Sequence, residues 1–155
     1  MSYNTPNRYD SRPKSTPITR EALPEDYVRA AEGAVIAIKD ENKPVISTSK
    51  LRSLFSLFTD LYNDITRSDQ EKLTGVQVNA LRAAKVRIYY EIGREDRYNG
   101  FLDSASVGRF VRHSHLLQYL EDIGDSAEKL TRFYHYMEAL VAFHRFYFGE
   151  KRDFR

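Results

Sequence analysis

The chain has 155 residues, a mass of 18.1 kDa and a formal net charge of +2. This length fits one domain with one core, and the absence of cysteine excludes disulfides and thiol chemistry. Because 24 basic residues face 22 acidic ones, a nucleic-acid contact must come from the arrangement of charge rather than from its sum.

Membrane and export signals are lacking. No apolar run approaches the ~18 residues of a membrane span, and the opening "MSYNTPNRYD" has no apolar signal-peptide core. We therefore expect a cytoplasmic protein that makes no membrane contact.

Residues 1–20 are predicted to form a disordered basic tail. They contain Arg8, Arg12, Lys14 and Arg20 against a single acid, and almost no aliphatic side chains that could bury surface. Residues 21–155 are expected to form a single helical domain.

Hydrophobic spacing predicts the first two helices. Tyr27, Ala31, Ala34 and Ile38 recur at three- and four-residue steps behind Pro24, which is placed as a first-turn residue. This helix should end near "KDENKP". The next segment, "STSKLRSLFSLFTDLYNDITR", has the same spacing and predicts an amphipathic helix.

The remaining chain also predicts helices. A third helix should run from about Val76 to Arg97, and "NGFLDSASVGRFVRHSHLLQYLEDIG" predicts a short helical turn and then a helix capped by Gly124. Asp125 and Glu128 have the spacing of a capping box and should open the last helix. Since no segment alternates with a period of two, we expect an all-α protein, a compact bundle of about five helices.

The last helix, which contains "RFYHYMEALVAFHRFYFG", has two apolar faces. A second stripe, about a quarter-turn from the first, carries Lys129, Arg132, Tyr136, Phe143 and Tyr147. Such a helix either lies in the middle of the bundle or presents its second face to another molecule. The first stripe, predicted to be core, comprises Leu130, Phe133, Tyr134, Met137, Leu140, Val141, His144 and Phe148.

Basic residues follow the third helix on the side away from its aliphatic face. One line contains Arg87, Tyr90, Arg94 and Arg97, and another contains Arg82, Lys85 and Tyr89. These cations either bind phosphates or form a solvated face, in which each ion pair contributes only ~0.3–0.5 kcal/mol.

The first turn of the second helix contains Lys50 and Arg52, directly behind the hydroxyls of Ser47, Thr48 and Ser49. The helix macrodipole disfavours cations at this end, so their presence favours a bound anion. Backbone donors, hydroxyls and two cations around a helix start predict a phosphate site.

Metal-binding and catalytic motifs are lacking. The nearest histidine pair, His113 and His115, points to opposite sides of a helix, and no Gly-rich phosphate loop, G-x-S-x-G or H-E-x-x-H occurs. We therefore expect no metal, no cofactor and no enzymatic activity. A helical nuclease that uses His135 or His144 is the least supported alternative.

Several segments resemble a known family. "STSKLRSLFSLFTDLYND", "LRAAKVRIYYEIGRED" and "RFYHYMEALVAFHRFYFGEK" are similar, in order and spacing, to the small subunit of type III-A CRISPR effector complexes, the Csm small-subunit family. Together with "EDYVRAAEGAVIAIKD", the resemblance covers about Glu25 to Lys151. One departure is "FYFGEK" in place of "FYGGK", which puts Phe148 at a usual glycine.

The resemblance implies a non-catalytic helical subunit that stacks in several copies within an RNA-guided complex for antiviral defence. Its implied partners are other type III-A subunits, further copies of itself, and the duplex of target RNA and guide RNA. Guide pairing would supply sequence specificity, so this subunit would need only cations along the RNA backbone. The main alternative is a helical adaptor that docks a protein through its aromatic face and makes no RNA contact.

These considerations give two sets of candidate residues. The expected RNA-binding residues are Lys50, Arg52, Arg82, Lys85, Arg87, Arg94, Lys129 and Arg132. The expected subunit-interface residues are Tyr136, Phe143 and Tyr147.

Overall fold

The computed structural model describes residues 18–95 and 106–149. In these two ranges the chain forms six α-helices and no strand, which confirms the predicted all-α bundle. The predicted helical turn before Ser106, tail residues 1–17 and the chain after Gly149 lie outside the described residues. The helices are α1 (Tyr27–Asp40), α2 (Thr48–Ser68), α3 (Gly75–Glu95), α4 (Ser106–Ser114), α5 (Leu116–Ile123) and α6 (Ala127–Phe148).

The region predicted as one helix before Gly124 contains two, α4 and α5. They are separated by His115, whose φ of 53° is left-handed and cannot continue an α-helix. The Tyr136 hydroxyl donates a hydrogen bond to the Ser114 carbonyl oxygen at 2.7 Å, so a side chain from α6 meets the end of α4. Gly124, with φ of 55°, ends α5 as predicted.

Helix α1 begins later than predicted. Its cap is Asp26, whose carboxylate accepts from the Arg29 N–H at 3.1 Å. Pro24 therefore lies before the helix rather than in its first turn, and its carbonyl oxygen accepts from Arg132 at 3.0 Å.

The predicted capping box at the start of α6 is wrong by one residue. Ser126 is the cap, and its hydroxyl accepts from the Lys129 N–H at 3.2 Å. Asp125 instead belongs to the preceding segment, because its carbonyl oxygen accepts from the Leu73 N–H at 2.8 Å. This bond and an isolated bridge between Lys72 and Ser126 tie the α2–α3 connection to the start of α6.

Helix α6 is the central helix of the bundle. It packs against α1, α2 and α5, so both of its apolar faces meet protein. Phe133 lies edge-on to Phe58 with ring centroids 5.0 Å apart, and Tyr134 stacks on Tyr62 at 4.0 Å. The aromatic richness of this helix is therefore largely a packing requirement. Its buried residues are Ala127, Leu130, Phe133, Tyr134, Tyr136, Met137, Leu140 and His144, while Val141 and Phe148 are only partly buried.

Tyr136 is not a surface residue, which corrects its prediction as a subunit-interface anchor. Only 1% of it is exposed, its ring lies edge-on to Tyr119 at 5.3 Å, and burial raises the pKa of its hydroxyl. The second stripe of α6 meets α5 at this point, so Tyr136 packs inside the monomer.

A fully buried arginine joins α1 to α4. Arg109 donates its Nε to Glu41 at 3.0 Å and its Nη2 to the Ile38 carbonyl oxygen at 3.2 Å, and its Nη1 donates to the Pro44 carbonyl oxygen. One guanidinium thus serves the Ile38 carbonyl, which lies in the last turn of α1 and has no helical partner, and the Pro44 carbonyl in the connection between α1 and α2. Sequence reasoning missed this role because the partners of Arg109 lie 65 to 71 positions away along the chain.

The segment before α1 packs on α5. Ile18 and Leu23 contact the core, and the Glu21 N–H donates to the Gln118 carbonyl oxygen at 3.0 Å. Packed structure therefore includes Ile18, which lies within the predicted disordered tail of residues 1–20.

Candidate nucleic-acid interface

A groove with a volume of about 870 Å³ lies between α2 and α3. Along α3 it extends from Ala80 to Glu95, about 22 Å at 1.5 Å per residue. Small side chains line both walls and leave room between the two helices. These are Ser49, Ser53 and Ser56 on α2 and Ala80, Ala83 and Ala84 on α3.

Three of the predicted RNA-binding residues meet in this groove: Lys50, Arg87 and Arg94. Arg87 Nη2 lies 3.0 Å from one Glu91 oxygen, and Arg94 Nη1 lies 4.0 Å from the other. Lys50 forms an ion pair with Glu95. Three cations therefore face two carboxylates, which leaves one net positive charge in the groove.

Glu95 also holds the start of α4. The Ser106 hydroxyl donates to its two oxygens at 3.0 and 2.9 Å, and the Val107 N–H donates at 3.2 Å. Partial burial by itself would raise the pKa of Glu95, but the bonds from Lys50, Ser106 and Val107 outweigh it and hold the pKa below its ordinary value. Glu95 is therefore an anion that positions two helices.

The start of α2 differs from the predicted phosphate site in one respect. Ser47 caps the helix by accepting from the Lys50 N–H at 3.2 Å, and the Lys50 ammonium points to Glu95. An intramolecular carboxylate thus supplies the anion that the sequence pattern favoured. Any phosphate at this position would compete with Glu95.

Two other predicted cations lie at a smaller cavity of about 320 Å³ between α3 and α5. Lys85 forms an ion pair with Glu121 on α5, and Arg82 donates from Nη1 to the Asn79 side-chain oxygen at 3.2 Å. Both contacts link or stiffen elements of the fold.

The remaining three predicted cations are separated from the groove. Lys129 lies 3.4 Å from Asp122, and Arg132 holds the Pro24 carbonyl, so both fasten neighbouring segments to α6. Arg52 is exposed on α2 but does not line the groove.

The other two predicted interface aromatics on α6 are partly exposed to solvent. Phe143 and Tyr147 pack against the core and are half-buried, and the Lys39 ammonium lies 5.3 Å from the centroid of the Tyr147 ring. Phe146, which sequence reasoning did not single out, is 80% exposed beside them.

Within residues 18–95 and 106–149, no three histidine or acidic side chains are grouped for metal binding. None of the helices described there combines the length and apolar character of a membrane span.

Sequence reasoning largely missed Glu91 and Glu95, the two carboxylates that line the groove. Glu91 follows Arg87 by four residues, a spacing that lets the two side chains pair on one helix face. No local signal reveals the contact of Glu95 with Lys50, because these residues are 45 positions apart.

Comparison with known proteins identifies the family. The family model described as Csm2 Type III-A matches residues 24–150. A Mycobacterium tuberculosis protein (strain CDC 1551 / Oshkosh) named CRISPR system Cms protein Csm2 is 36% identical over 124 residues, covering 80% of this chain and 93% of the relative. A Streptococcus thermophilus protein of the same name is 34% identical over 128 residues, covering 81% and 94%. The chain therefore belongs to the Csm2 family of type III-A CRISPR systems, the small-subunit family that its motifs resemble.

Proposed function

We propose that the protein is a non-catalytic small subunit that stacks in several copies within a cytoplasmic type III-A CRISPR complex and supports target RNA paired to the guide. Membership of the Csm2 family implies association with the other subunits of such a complex. The RNA contact rests on one observation, the convergence of Lys50, Arg87 and Arg94 in the α2–α3 groove.

The electrostatics of this groove suit a phosphate backbone. The side chains of Arg87 and Arg94 are 55% and 67% exposed, and they share the single carboxylate of Glu91. Since solvent screens both guanidiniums, an RNA phosphate can compete with the Glu91 carboxylate for them. Guanidinium groups also bind phosphate oxygens with two parallel hydrogen bonds.

The groove walls favour support of RNA over reading of its sequence. No Asn, Gln or His is among the described lining residues. Ser53 and Ser56 donate their hydroxyls to helix carbonyls, to Ser49 at 3.0 Å and to Ser53 at 2.7 Å. Base pairing with the guide would then supply all the specificity.

Five predicted cations do not line the groove. For this reason we centre the proposed RNA contact on Lys50, Arg87 and Arg94. The adaptor alternative makes the opposite prediction for these three residues. If it holds, removing their charge should have no effect on RNA binding.

Purification of the tagged chain from its own host tests the proposal. We expect larger CRISPR subunits, identified by mass spectrometry, and a discrete short guide RNA. Arg87→Ala with Arg94→Ala should keep these partners and weaken retention of target RNA. Arg67→Ala is the matched control, since Arg67 is 77% exposed at the other end of α2. Unrelated partners without RNA would instead support the adaptor.

We also propose that the half-exposed edges of Phe143 and Tyr147 contact a neighbouring subunit. The exposed ring of Phe146 adjoins Tyr147, with centroids 5.0 Å apart, and enlarges the apolar surface there. Phe143→Ser with Tyr147→Ser should leave helicity by circular dichroism intact and abolish assembly. Loss of helicity would instead assign both rings to the core.

A further inference from the structure

Helix α3 carries exposed aromatic rings on the side that faces solvent. Tyr90 is 58% exposed and Tyr89 is 44% exposed, and Val86 lies on the same outer surface. Large apolar side chains of this kind are usually buried or partnered, so their position on an outer helix face calls for a ligand or a partner.

Only one of the two tyrosines adjoins the groove. Tyr90 follows Arg87 by three residues and precedes Arg94 by four, so it lies on the same side of α3 as both groove arginines. The Arg87 guanidinium carbon is 5.2 Å from the centroid of the Tyr90 ring. Tyr89 is rotated about 100° from Tyr90 around the helix axis, away from the groove.

The charge around Tyr90 specifies the chemistry of its occupant. The acidic residues of α3 are Glu91 and Glu95, and both face the groove, where basic residues already hold them. Tyr90 therefore adjoins the basic side chains of Arg87 and Arg94, while both acidic residues of α3 face the groove. A single-stranded nucleic acid has the complementary chemistry, because its phosphates are anionic and every base has a face that can stack on a ring.

We propose that Tyr90 stacks on an unpaired base of the RNA strand whose phosphates Arg87 and Arg94 hold. This base contact rests on the proposed function and adds to it a subsite for unpaired nucleotides at the rim of the groove. Arg87 then acts on both parts of a nucleotide, because it binds the phosphate and fixes the ring against which the base packs. Bases inside a duplex cannot use this subsite, since they already stack on their neighbours.

Photo-crosslinking in the assembled complex tests the subsite. Target RNAs carry 5-iodouridine at successive positions, either paired with the guide or within a short mismatched run, and mass spectrometry maps the crosslinked residue. We expect unpaired 5-iodouridine to crosslink to Tyr90. Tyr90→Ala should reduce the yield by at least about tenfold, and Tyr90→Phe should restore binding of the unpaired segment because its ring still stacks. Tyr89→Ala is the matched control and should change nothing.

Several outcomes would overturn the assignment. Equal crosslinking from paired and unpaired positions, crosslinks to Tyr89 instead of Tyr90, or an unchanged yield with Tyr90→Ala would each exclude stacking. Loss of complex assembly with Tyr90→Ala would make this face a protein interface. In each case a separate experiment tests the proposed phosphate contacts. It measures how Arg87→Ala with Arg94→Ala changes the salt dependence of target RNA binding.

Discussion

Arg109 on α4 is fully buried and donates its Nε to Glu41, the residue that follows α1, at 3.0 Å. The same guanidinium donates to the carbonyl oxygens of Ile38 and Pro44. A buried cation is tolerated here because an acid and two carbonyls surround it. These bonds fix the position of α4. Because the end of α3 is hydrogen-bonded to the start of α4, they also help to position α3.

Arg109→Ala should destabilise the fold by about 3 kcal/mol, because it leaves the buried Ile38 carbonyl without its donor, removes the cation beside Glu41 and creates a cavity. Arg112→Ala is the matched control. Arg112 lies on the same helix and contacts the same Glu41 at 3.2 Å, but its side chain is 41% exposed. Its removal should cost less than about 1 kcal/mol. Urea unfolding checks both variants, and equal losses would contradict the role given to Arg109.

Tyr136→Phe should destabilise the fold by about 1 kcal/mol without loosening any subunit contact. The substitution removes the hydrogen bond to the Ser114 carbonyl and leaves that buried oxygen unsatisfied. Tyr147→Phe is the control, because its half-buried ring keeps its contact with Lys39 and should retain stability. Thermal unfolding together with the size of the assembled complex checks this prediction. Loss of assembly with normal stability would return Tyr136 to the interface.

His144 should make stability depend on pH. Burial lowers its pKa below the ordinary value of 6.5, although the bond from Nε2 to the Ile46 carbonyl acts in the opposite direction. At a pH between the folded-state and unfolded-state pKa values of His144, the unfolded chain therefore binds more protons than the folded chain. In that window the free energy of unfolding rises with pH. This contribution is present above about pH 6.5 and is lost as the pH falls below it.

Urea unfolding at about pH 7.5 and about pH 5.5 measures this effect. His144→Gln keeps a donor for Ile46 that does not titrate, so it should remove the His144 part of the slope. His135→Gln is the control, because it makes the same substitution on the same helix at a partly exposed side chain that contacts Glu138 rather than a backbone carbonyl. An identical pH slope in wild type and His144→Gln would show that His144 does not titrate on unfolding in this window.

Glu91→Gln should raise RNA affinity about two- to fivefold. The carboxylate occupies Arg87 and Arg94, and its neutralisation frees both guanidiniums for phosphate. Glu138→Gln removes an exposed carboxylate on α6 and should have no effect. Binding of target RNA by the assembled complex measures the change. Weaker binding by Glu91→Gln would mean that Glu91 orients the two arginines rather than competing with RNA.

The sequence predicted the elements of this fold better than their junctions. The apolar spacing of α2 defines one buried face, and the structure buries Leu51, Leu54 and Phe58 as that spacing requires. His115 broke a predicted helix because a single left-handed residue leaves no mark in hydrophobic spacing. The two faces of α6 were ambiguous because burial on both sides depends on which helices pack there.

The candidate site was likewise predictable only where local helix spacing determines it. Arg87 and Arg94 lie on one helix, so their common side follows from local spacing. The place of Lys50 beside them depends on how α2 packs on α3, which local patterns do not contain. Lys129 and Arg132 are basic, as a phosphate contact requires. Their partners in the fold, Asp122 and Pro24, lie on other segments and cannot be predicted from local spacing.

The salt dependence of target RNA binding tests the central claim most directly. In the assembled complex, log affinity should fall linearly with log salt concentration, and Arg87→Ala with Arg94→Ala should reduce the slope by about 1.4, or about 0.7 for each lost contact. Arg67→Ala should leave the slope unchanged. If the double variant keeps the wild-type slope while the complex assembles normally, the α2–α3 groove does not hold the RNA backbone.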